Sequence, residues 1–304
     1  MYKKIILLIL TVITLFILGI YYGVVNNRKR GEGRKELFKT IYTHIDLNAQ
    51  KVKKMLKDFP IYYINLDRVK DRRDFMEKQV KKYGVKMTRI SAVDARDLDW
   101  KSGMANEIPY ENHYKKTRGL KSYRMAELAC TLSHLYAIKQ SYDNGDEIAL
   151  ILEDDVDIGL AALWEKSLKE LIKSVSTDWK CINLLPMGKS IGRDRKKYNI
   201  IEPLELGKHW GCVAYVINRK GMEKVLKVYN NNKFILQGQS SLVADWFIYS
   251  LGDNVYVYTK KFLFVISDFI SNIQGGNVKN YNFLGNILID DMMEYVDKIN
   301  HAPA

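Results

Sequence analysis

The sequence contains little cysteine and proline. Three cysteines (Cys130, Cys181 and Cys212) are too few, and odd in number, for a disulfide framework, and each lies in an apolar run, so we interpret them as reduced core residues. Because the sequence shows no C-x-x-C motif or Cys/His cluster, we expect no zinc site. Only 5 prolines and 19 glycines in 304 residues, with 47% hydrophobic residues, exclude a disordered, collagen-like or low-complexity chain.

Common nucleotide-binding and hydrolase motifs are also missing. No G-x-G-x-x-G follows the first predicted strand, and residues 188–190 (Gly-Lys-Ser) do not complete a Walker A loop because position 183 is Asn183. The sequence has no G-x-S-x-G, and Ser133 and His134 point about 100° apart on a predicted helix, so they cannot form a nucleophile–base pair. We interpret His134 as a hydrogen-bonded structural residue.

The chain is basic, with 48 Lys and Arg against 35 Asp and Glu and a formal net charge of +13. Nearly half of this excess lies within residues 1–35, on both sides of a long apolar segment. The rest is spread over a mildly basic chain without a recognised RNA- or DNA-binding signature. We therefore expect no nucleic-acid partner.

The apolar segment, residues 5–25, contains 21 uncharged residues. At a rise of about 1.5 Å per residue, a helix of this length spans a hydrocarbon core of about 30 Å. A cleaved signal peptide would have a shorter apolar region and small residues at its cleavage site, whereas Tyr21 and Tyr22 suit a membrane interface. We predict a retained anchor over residues 1–27 and a basic stem over residues 28–58. The flanking charges favour a domain on the cytoplasmic side, but the orientation stays open.

Beyond the stem, segments with strand and helix patterns alternate, which indicates an α/β fold with a mostly parallel sheet covered on both faces. Residues 95–124 lack a clear period and predict a long loop. The predicted strands cover residues 60–66, 85–93, 148–152, 181–185, 212–217 and 255–259, and the predicted helices cover residues 70–83, 126–142, 219–229 and 241–251.

An acidic cluster directly follows the predicted strand 148–152 and is the strongest local signal of a binding site. Its members are Glu153, Asp154, Asp155 and Asp157. Open α/β sheets bind ligands at the carboxyl edge of their strands, where this cluster would lie. Crowded carboxylates repel one another unless a cation compensates them, and oxygen ligands suit Mg²⁺ or Mn²⁺. The alternative interpretation is a solvated acidic turn.

Six short motifs occur in order between residues 60 and 273. They are I-N-L-D-R at 64–68, A-V-D at 92–94, E-L-A-C-T-L-S-H at 127–134, L-E-D-D-V at 152–156, G-C-V-A-Y-V-I-N-R-K-G-M-E-K-V-L at 211–226 and V-A-D at 243–245. Together they resemble glycosyltransferase family 25, which includes bacterial lipooligosaccharide β-galactosyltransferases and collagen hydroxylysine galactosyltransferases. Alanine stands at residues 95, 129 and 214 where the family has glycine. Each change adds a methyl group that could narrow a pocket, so the identity of the substrate stays undetermined.

The resemblance implies a GT-A-like, Rossmann-type domain over residues 59–275, followed by a C-terminal tail over residues 276–304. It implies an inverting glycosyltransferase that moves a hexose, galactose or glucose, from a UDP-sugar donor. The acceptor would be a glycan, a lipid-linked glycan as in lipopolysaccharide biosynthesis, or a hydroxylysine-bearing protein.

Within such a domain we assign Asp155 and Glu153 as ligands of Mn²⁺ or Mg²⁺, which neutralises the departing diphosphate. Asp245 is the candidate base for the acceptor hydroxyl, and its alternative role is a helix N-cap or first-turn acid. Arg68 could equally be a surface ion-pair partner. The residues expected to contact the nucleotide-sugar are Asn65, Asp67, Arg68, Asp94, Glu153, Asp154 and Gly211.

Three functions from different classes fit the sequence. The first is an active, metal-dependent, membrane-anchored glycosyltransferase, which the intact Glu-Asp-Asp motif favours. The second is a catalytically inactive relative that binds a glycan or a partner at the membrane. The third is a basic binder of membrane surfaces or nucleic acids, whose affinity would fall steeply with salt.

Overall fold

The computed structural model describes residues 49–98, 123–164, 166–186, 201–236, 243–250, 254–258 and 265–266. All of them belong to one compact unit, Asn48–Gly276. The predicted membrane anchor, the C-terminal tail and most of both the stem and the long loop lie outside the described residues. Within the part of the chain that is described, no helix is long and apolar enough to cross a membrane.

Strands and helices alternate along the described chain. The strands are β1 (Ile61–Asn65), β2 (Thr88–Ser91), β3 (Ile148–Glu153), β4 (Val156–Asp157), β5 (Cys181–Asn183), β6 (Ile201–Pro203), β7 (Ala214–Asn218), β8 (Tyr229–Asn230), β9 (Lys233–Phe234), β10 (Val255–Tyr258) and β11 (Val265–Ile266). The α-helices are α1 (Ala49–Leu56), α2 (Lys70–Tyr83), α3 (Tyr123–Asp143), α4 (Leu168–Lys173), α5 (Arg219–Val225) and α6 (Ala244–Tyr249). Two short 3₁₀ segments lie at Gly159–Leu163 and Leu226–Val228.

The central sheet has seven strands in the order β2-β1-β3-β7-β5-β10-β6. β1 pairs in parallel with β2 and β3, and β10 pairs in parallel with β5. β7 runs antiparallel between β3 and β5, and β6 runs antiparallel to β10. Five of the seven strands therefore share one direction, which confirms the predicted α/β fold with a mostly parallel sheet and fits a Rossmann-like architecture.

Both faces of the sheet are buried. All five residues of β1 are buried. Because successive side chains point to opposite faces of a strand, Tyr62 and Ile64 pack into one apolar cluster with α3, α5 and α6. A second group of helices forms around α1, which contacts both α2 and α4. The near-continuous apolar run of β3 follows from this double coverage.

The last part of the predicted stem is a helix that packs onto the unit. α1 buries Val52, Met55 and Leu56, and it contacts α2, α4 and the first 3₁₀ segment. α2 has the predicted bounds and ends at Gly84, whose φ of 60° provides the left-handed C-cap.

The predicted helix over residues 219–229 ends early. After α5 and a 3₁₀ turn, β8 and β9 form a short antiparallel hairpin. Asn231 and Asn232 connect these strands with positive φ values of 49° and 62°. This backbone is typical of a two-residue hairpin turn, which asparagine tolerates better than most residues do.

Candidate functional site

The acidic cluster begins where β3 ends. Glu153 is the last residue of β3, and Asp154 and Asp155 form the turn that leads into β4. Gln79 of α2 fixes the chain beyond this turn, because its side-chain amide donates to the Val156 carbonyl over 2.9 Å and its oxygen accepts from the Ile158 amide over 2.8 Å. The three acids therefore lie at the carboxyl edge of the sheet, as predicted, but the turn gives each one a different environment.

Asp154 is held by two partners from the N-terminal part of the domain. Asn65 donates to its Oδ2 atom over 2.7 Å, and Arg72 donates to its Oδ1 atom over 2.7 Å. Burial raises the pKa of Asp154, while Arg72 and Asn65 oppose this effect. Asn65 also donates to the Val69 carbonyl and accepts from Arg89. Asp154 and Asn65 thus fasten β3 to the β1–α2 connection, and their predicted contacts with a nucleotide stay predictions.

Asp155 is the residue of the cluster best suited to bind a cation. Its side chain is buried, and its Oδ2 atom lies 3.2 Å from Arg72. Its Oδ1 atom, among the described residues, is buried without a hydrogen-bond partner. Burial and the neighbouring charge of Glu153 raise the pKa of Asp155 to about 7. A buried carboxylate oxygen that lacks a partner is costly unless a ligand satisfies it, so the donor set fits a hard divalent cation.

Glu153 points toward a group of side chains that sequence reasoning did not bring together. Its Oε1 atom lies 3.7 Å from the Nε2 atom of His134 and 3.9 Å from the sulfur of Cys212. Ligand atoms of Cys130, His134 and Glu153 all lie within 4.8 Å of one another. The sequence pattern indicated no Cys/His cluster, but the fold forms one, because it brings Glu153 and Cys212 to Cys130 and His134 on one helix.

His134 is buried and hydrogen-bonded, as predicted. Its Nδ1 atom lies 3.2 Å from the hydroxyl of Tyr215, and its Nε2 atom lies 3.3 Å from the sulfur of Cys212. Burial lowers the pKa of His134, but hydrogen bonds with Cys130 and Glu153 outweigh this effect and raise the pKa to about 9. Its neighbour Ser133 instead accepts a hydrogen bond from the Val93 amide, so the two side chains serve different contacts.

Asp245 lies in the first turn of α6 and holds the segment that precedes β7. Its Oδ2 atom accepts from the Gly211 amide over 2.7 Å, and its Oδ1 atom accepts from the Trp246 amide over 2.8 Å. These contacts agree with a first-turn acid, and a carboxylate keeps further lone pairs beyond two such bonds. Two residues after Gly211, the Val213 carbonyl accepts from the Glu153 amide over 2.8 Å. One short segment therefore connects the candidate base with the acidic cluster.

Gly211 adopts a backbone conformation that favours glycine. Its φ is 87°, in the left-handed region. Its carbonyl accepts from Asn183 over 2.9 Å and from the Tyr249 hydroxyl over 2.8 Å. The structure thus gives Gly211 a positioning role for the segment, and its predicted contact with the nucleotide-sugar is untested.

The other predicted contact residues form ion pairs near the ends of β1 and β2. Asp67 accepts from Arg89 and, over 2.8 Å, from Ser91, and the bond from Arg89 lowers the pKa of Asp67. Asp94 binds Arg68 over 2.8 Å as well as Arg96, and these bonds, that of Arg96 most strongly, lower the pKa of Asp94. The ion-pair alternative for Arg68 is therefore present, and a nucleotide contact for these side chains stays a prediction.

Arg72 is the main site residue that sequence reasoning missed. It is buried and binds both Asp154 and Asp155. A signal was available, because Arg72, Met76, Gln79 and Tyr83 form the buried face of α2 at helical spacing. An arginine and a glutamine on an inward-facing stripe indicate buried polar partners.

Comparison with known proteins identifies relatives of this domain. The family model described as Glycosyltransferase family 25 (LPS biosynthesis protein) matches residues 58–237, more than half of the chain. Procollagen galactosyltransferase 2 from Homo sapiens is 26% identical over 170 residues, which cover 55% of this chain and 27% of that protein. Procollagen galactosyltransferase 1 from Danio rerio is 26% identical over 188 residues, which cover 60% of this chain and 31% of that protein.

The chain spans less than a third of the length of these curated relatives. Among solved structures, the crystal structure of A197 from STIV aligns with a TM-score of 0.35 and 11% identity, covering 71% of this chain and 98% of that one. A TM-score of this size is too low to indicate a shared fold.

Proposed function

The chain belongs to glycosyltransferase family 25, and we propose that it transfers a hexose from a UDP-sugar to a hydroxyl group with inversion. The observation that carries the proposal is the turn after β3, where Asp155 is buried beside Glu153 and its Oδ1 atom has no hydrogen-bond partner among the residues that the structure describes. A divalent cation, Mn²⁺ or Mg²⁺, would be held by Asp155 and Glu153. When bound, it would neutralise charge on the departing diphosphate.

The chain's own side chains prepare this arrangement. Arg72 balances the charge of Asp154 and Asp155, so that three adjacent acids can share one edge of the sheet. Because Asp154 is occupied by Asn65 and Arg72, we assign the cation to Asp155 and Glu153 and give Asp154 a supporting role.

We assign the removal of the acceptor proton to Asp245. Inversion in one displacement needs a base that takes the hydroxyl proton as the oxygen attacks. Backbone amides of Gly211 and Trp246 hold the Asp245 carboxylate in a fixed orientation, and its remaining lone pairs can accept the proton. The segment from Gly211 to Val213 couples this carboxylate to the end of β3.

The names of the relatives support galactose as the transferred sugar, since two of them are called procollagen galactosyltransferases. We propose UDP-galactose as the first donor to test and UDP-glucose as the second. The acceptor is a glycan, a lipid-linked glycan or a hydroxylysine-bearing protein. We further propose a single-pass anchor over residues 5–25, with flanking charges that favour the cytoplasmic side.

A donor panel tests the proposed activity. The chain without residues 1–27 is incubated with individual nucleotide sugars, with Mn²⁺ or with EDTA, and the released nucleotide is measured. We expect Mn²⁺-dependent release of UDP from one donor, loss of this release in Asp155→Asn, and retention in Asp74→Asn, which changes an exposed carboxylate of α2. Normal turnover in Asp155→Asn would refute the assignment of the metal.

An inactive, glycan-binding relative is the alternative. It predicts that calorimetry detects a nucleotide-sugar while no nucleotide is released, even with acceptors present. Within the described part of the chain, the Asp155 Oδ1 atom is buried without a partner, which favours a bound cation. Together with the intact Glu-Asp-Asp motif, this supports the active enzyme.

A further inference from the structure

Four side chains with metal-binding atoms meet beside the acidic cluster, and the proposed transfer reaction uses only one of them. Cys130 and His134 lie one turn apart on α3, Cys212 precedes β7, and Glu153 ends β3. His134 and Cys212 are buried, and Cys130 and Glu153 are partly buried. The group offers two sulfurs, one imidazole nitrogen and one carboxylate oxygen.

The ligand atoms of Cys212, His134 and Glu153 are spaced much as in a tetrahedral zinc site. Zinc bonds of about 2.3 Å to sulfur, 2.0 Å to nitrogen and 2.1 Å to oxygen place tetrahedral ligands about 3.5 Å (S–N), 3.4 Å (N–O) and 3.6 Å (S–O) apart. The corresponding distances here are 3.3 Å from Cys212 to His134, 3.7 Å from His134 to Glu153 and 3.9 Å from Cys212 to Glu153. Cys130 lies within 4.8 Å of the His134 and Glu153 ligand atoms.

The hydrogen bond on the far side of His134 also suits a metal ligand. Tyr215 is fully buried, and its hydroxyl lies 3.2 Å from Nδ1. A metal binds the neutral ring, so zinc would displace the Nε2 proton that His134 holds in the metal-free protein. With Nδ1–H donating to this hydroxyl, the lone pair of Nε2 is then directed at the two sulfurs and the carboxylate. Metal-binding histidines are commonly oriented in this way by a partner on their other nitrogen.

Two of the four metal-binding atoms are the sulfurs of Cys130 and Cys212. Soft sulfur ligands distinguish this group from the oxygen ligands around Asp155, so the two sites select different ions.

We propose that Cys130, His134, Cys212 and Glu153 form a Zn²⁺ site. The site shares Glu153 with the Mn²⁺ or Mg²⁺ assigned to Asp155 and Glu153, and its sulfur and imidazole ligands belong to it alone. It does not depend on the transferase activity, since all of the contacts that define it come from the folded chain alone.

Cobalt titration of the metal-stripped chain tests the proposal. Co²⁺ alone, added under reducing conditions, should bind and produce a thiolate-to-cobalt absorption band, which Zn²⁺ then removes. Cys130→Ser and Cys212→Ser should each weaken Zn²⁺ binding by at least about tenfold, and Tyr215→Phe should weaken it by about 10–100-fold. Cys181→Ala is the matched control, because Cys181 is buried in β5 outside the group, and it should bind as the wild type does.

A second measurement needs no variant of the group and therefore does not depend on how the variants fold. X-ray absorption of the zinc-loaded wild type should show two sulfur ligands at about 2.3 Å. Asp155→Asn should keep the thiolate band, which separates this site from the acidic cluster and from any failure of the proposed transferase. Absence of the band, a zinc shell of oxygen alone, or a Cys130–Cys212 disulfide that persists under reducing conditions would overturn the proposal.

Discussion

Replacement of Asp155 by asparagine should make the metal-free protein more stable at alkaline pH. Burial and the charge of Glu153 move the pKa of Asp155 from its ordinary 3.8 to about 7. The native state therefore keeps a proton that the unfolded chain has lost, and the unfolding free energy falls as the pH rises between these two values. A shift of about 3 pKa units corresponds to about 4 kcal/mol, of which about 3 kcal/mol develops between pH 5 and pH 8.

Urea denaturation in EDTA at pH 5, 6, 7 and 8 measures this effect. The unfolding free energy of Asp155→Asn minus that of the wild type should grow by about 3 kcal/mol from pH 5 to pH 8. Asp74→Asn, at an exposed position of α2, should show the pH dependence of the wild type. If the difference in unfolding free energy between Asp155→Asn and the wild type stays constant with pH, burial and the charge of Glu153 do not raise the pKa of Asp155, and the prediction is refuted.

The same variants connect stability with metal binding. At pH 8, saturating Mn²⁺ should stabilise the wild type, because a ligand that binds only the native state raises the unfolding free energy. It should not stabilise Asp155→Asn. Equal stabilisation of both proteins would move the Mn²⁺ site away from this residue.

Three further changes test other parts of the site. Asp245→Asn should lower kcat by about 10²–10⁴ if Asp245 is the base, and a change confined to KM would instead make it an acceptor-binding residue. Arg72→Met should lower the unfolding free energy, measured by urea denaturation, by about 3–5 kcal/mol, because it leaves two buried aspartates without their cation. A loss below about 1 kcal/mol would contradict this prediction. Gly221→Ala should cost about 1–3 kcal/mol, because an added Cβ would lie 2.4 Å from the Lys180 carbonyl oxygen, whereas Lys220→Ala, at an exposed position, should change stability by less than about 0.5 kcal/mol.

Two predicted elements match the structure closely. α2 matches its predicted bounds, and β3 ends one residue later than predicted. The prediction missed the hairpin of β8 and β9. The short apolar stretch after the helix continues the helical period, so it was predicted as helix. The hairpin turn itself depends on two asparagines with positive φ, which the period does not show. Local periodicity identifies buried faces, but it does not report where a chain reverses.

For the site residues, too, the sequence predicted the location but not the contacts. The position of Glu153, Asp154 and Asp155 at the end of a buried strand was predictable, because strand alternation and the carboxyl-edge rule are local and topological properties. The different environments of these acids were not predictable. They depend on Arg72, which lies 82 positions before Asp154 in the sequence, and on a turn that separates Glu153 from its neighbours.

The sequence by itself determined the alternating α/β architecture, the acidic motif at the carboxyl edge and the family to which the chain belongs. These follow from patterns within short segments and from the order of those segments. Only the tertiary structure decided that Asn65 and Arg72 bind Asp154 and that Glu153 lies beside His134. It also decided that one Asp155 oxygen is buried with no hydrogen-bond partner in the described ranges. The physical reason is that strand order in the sheet, with β7 placed next to β3, decides which distant side chains share a buried space, and no local period encodes that order.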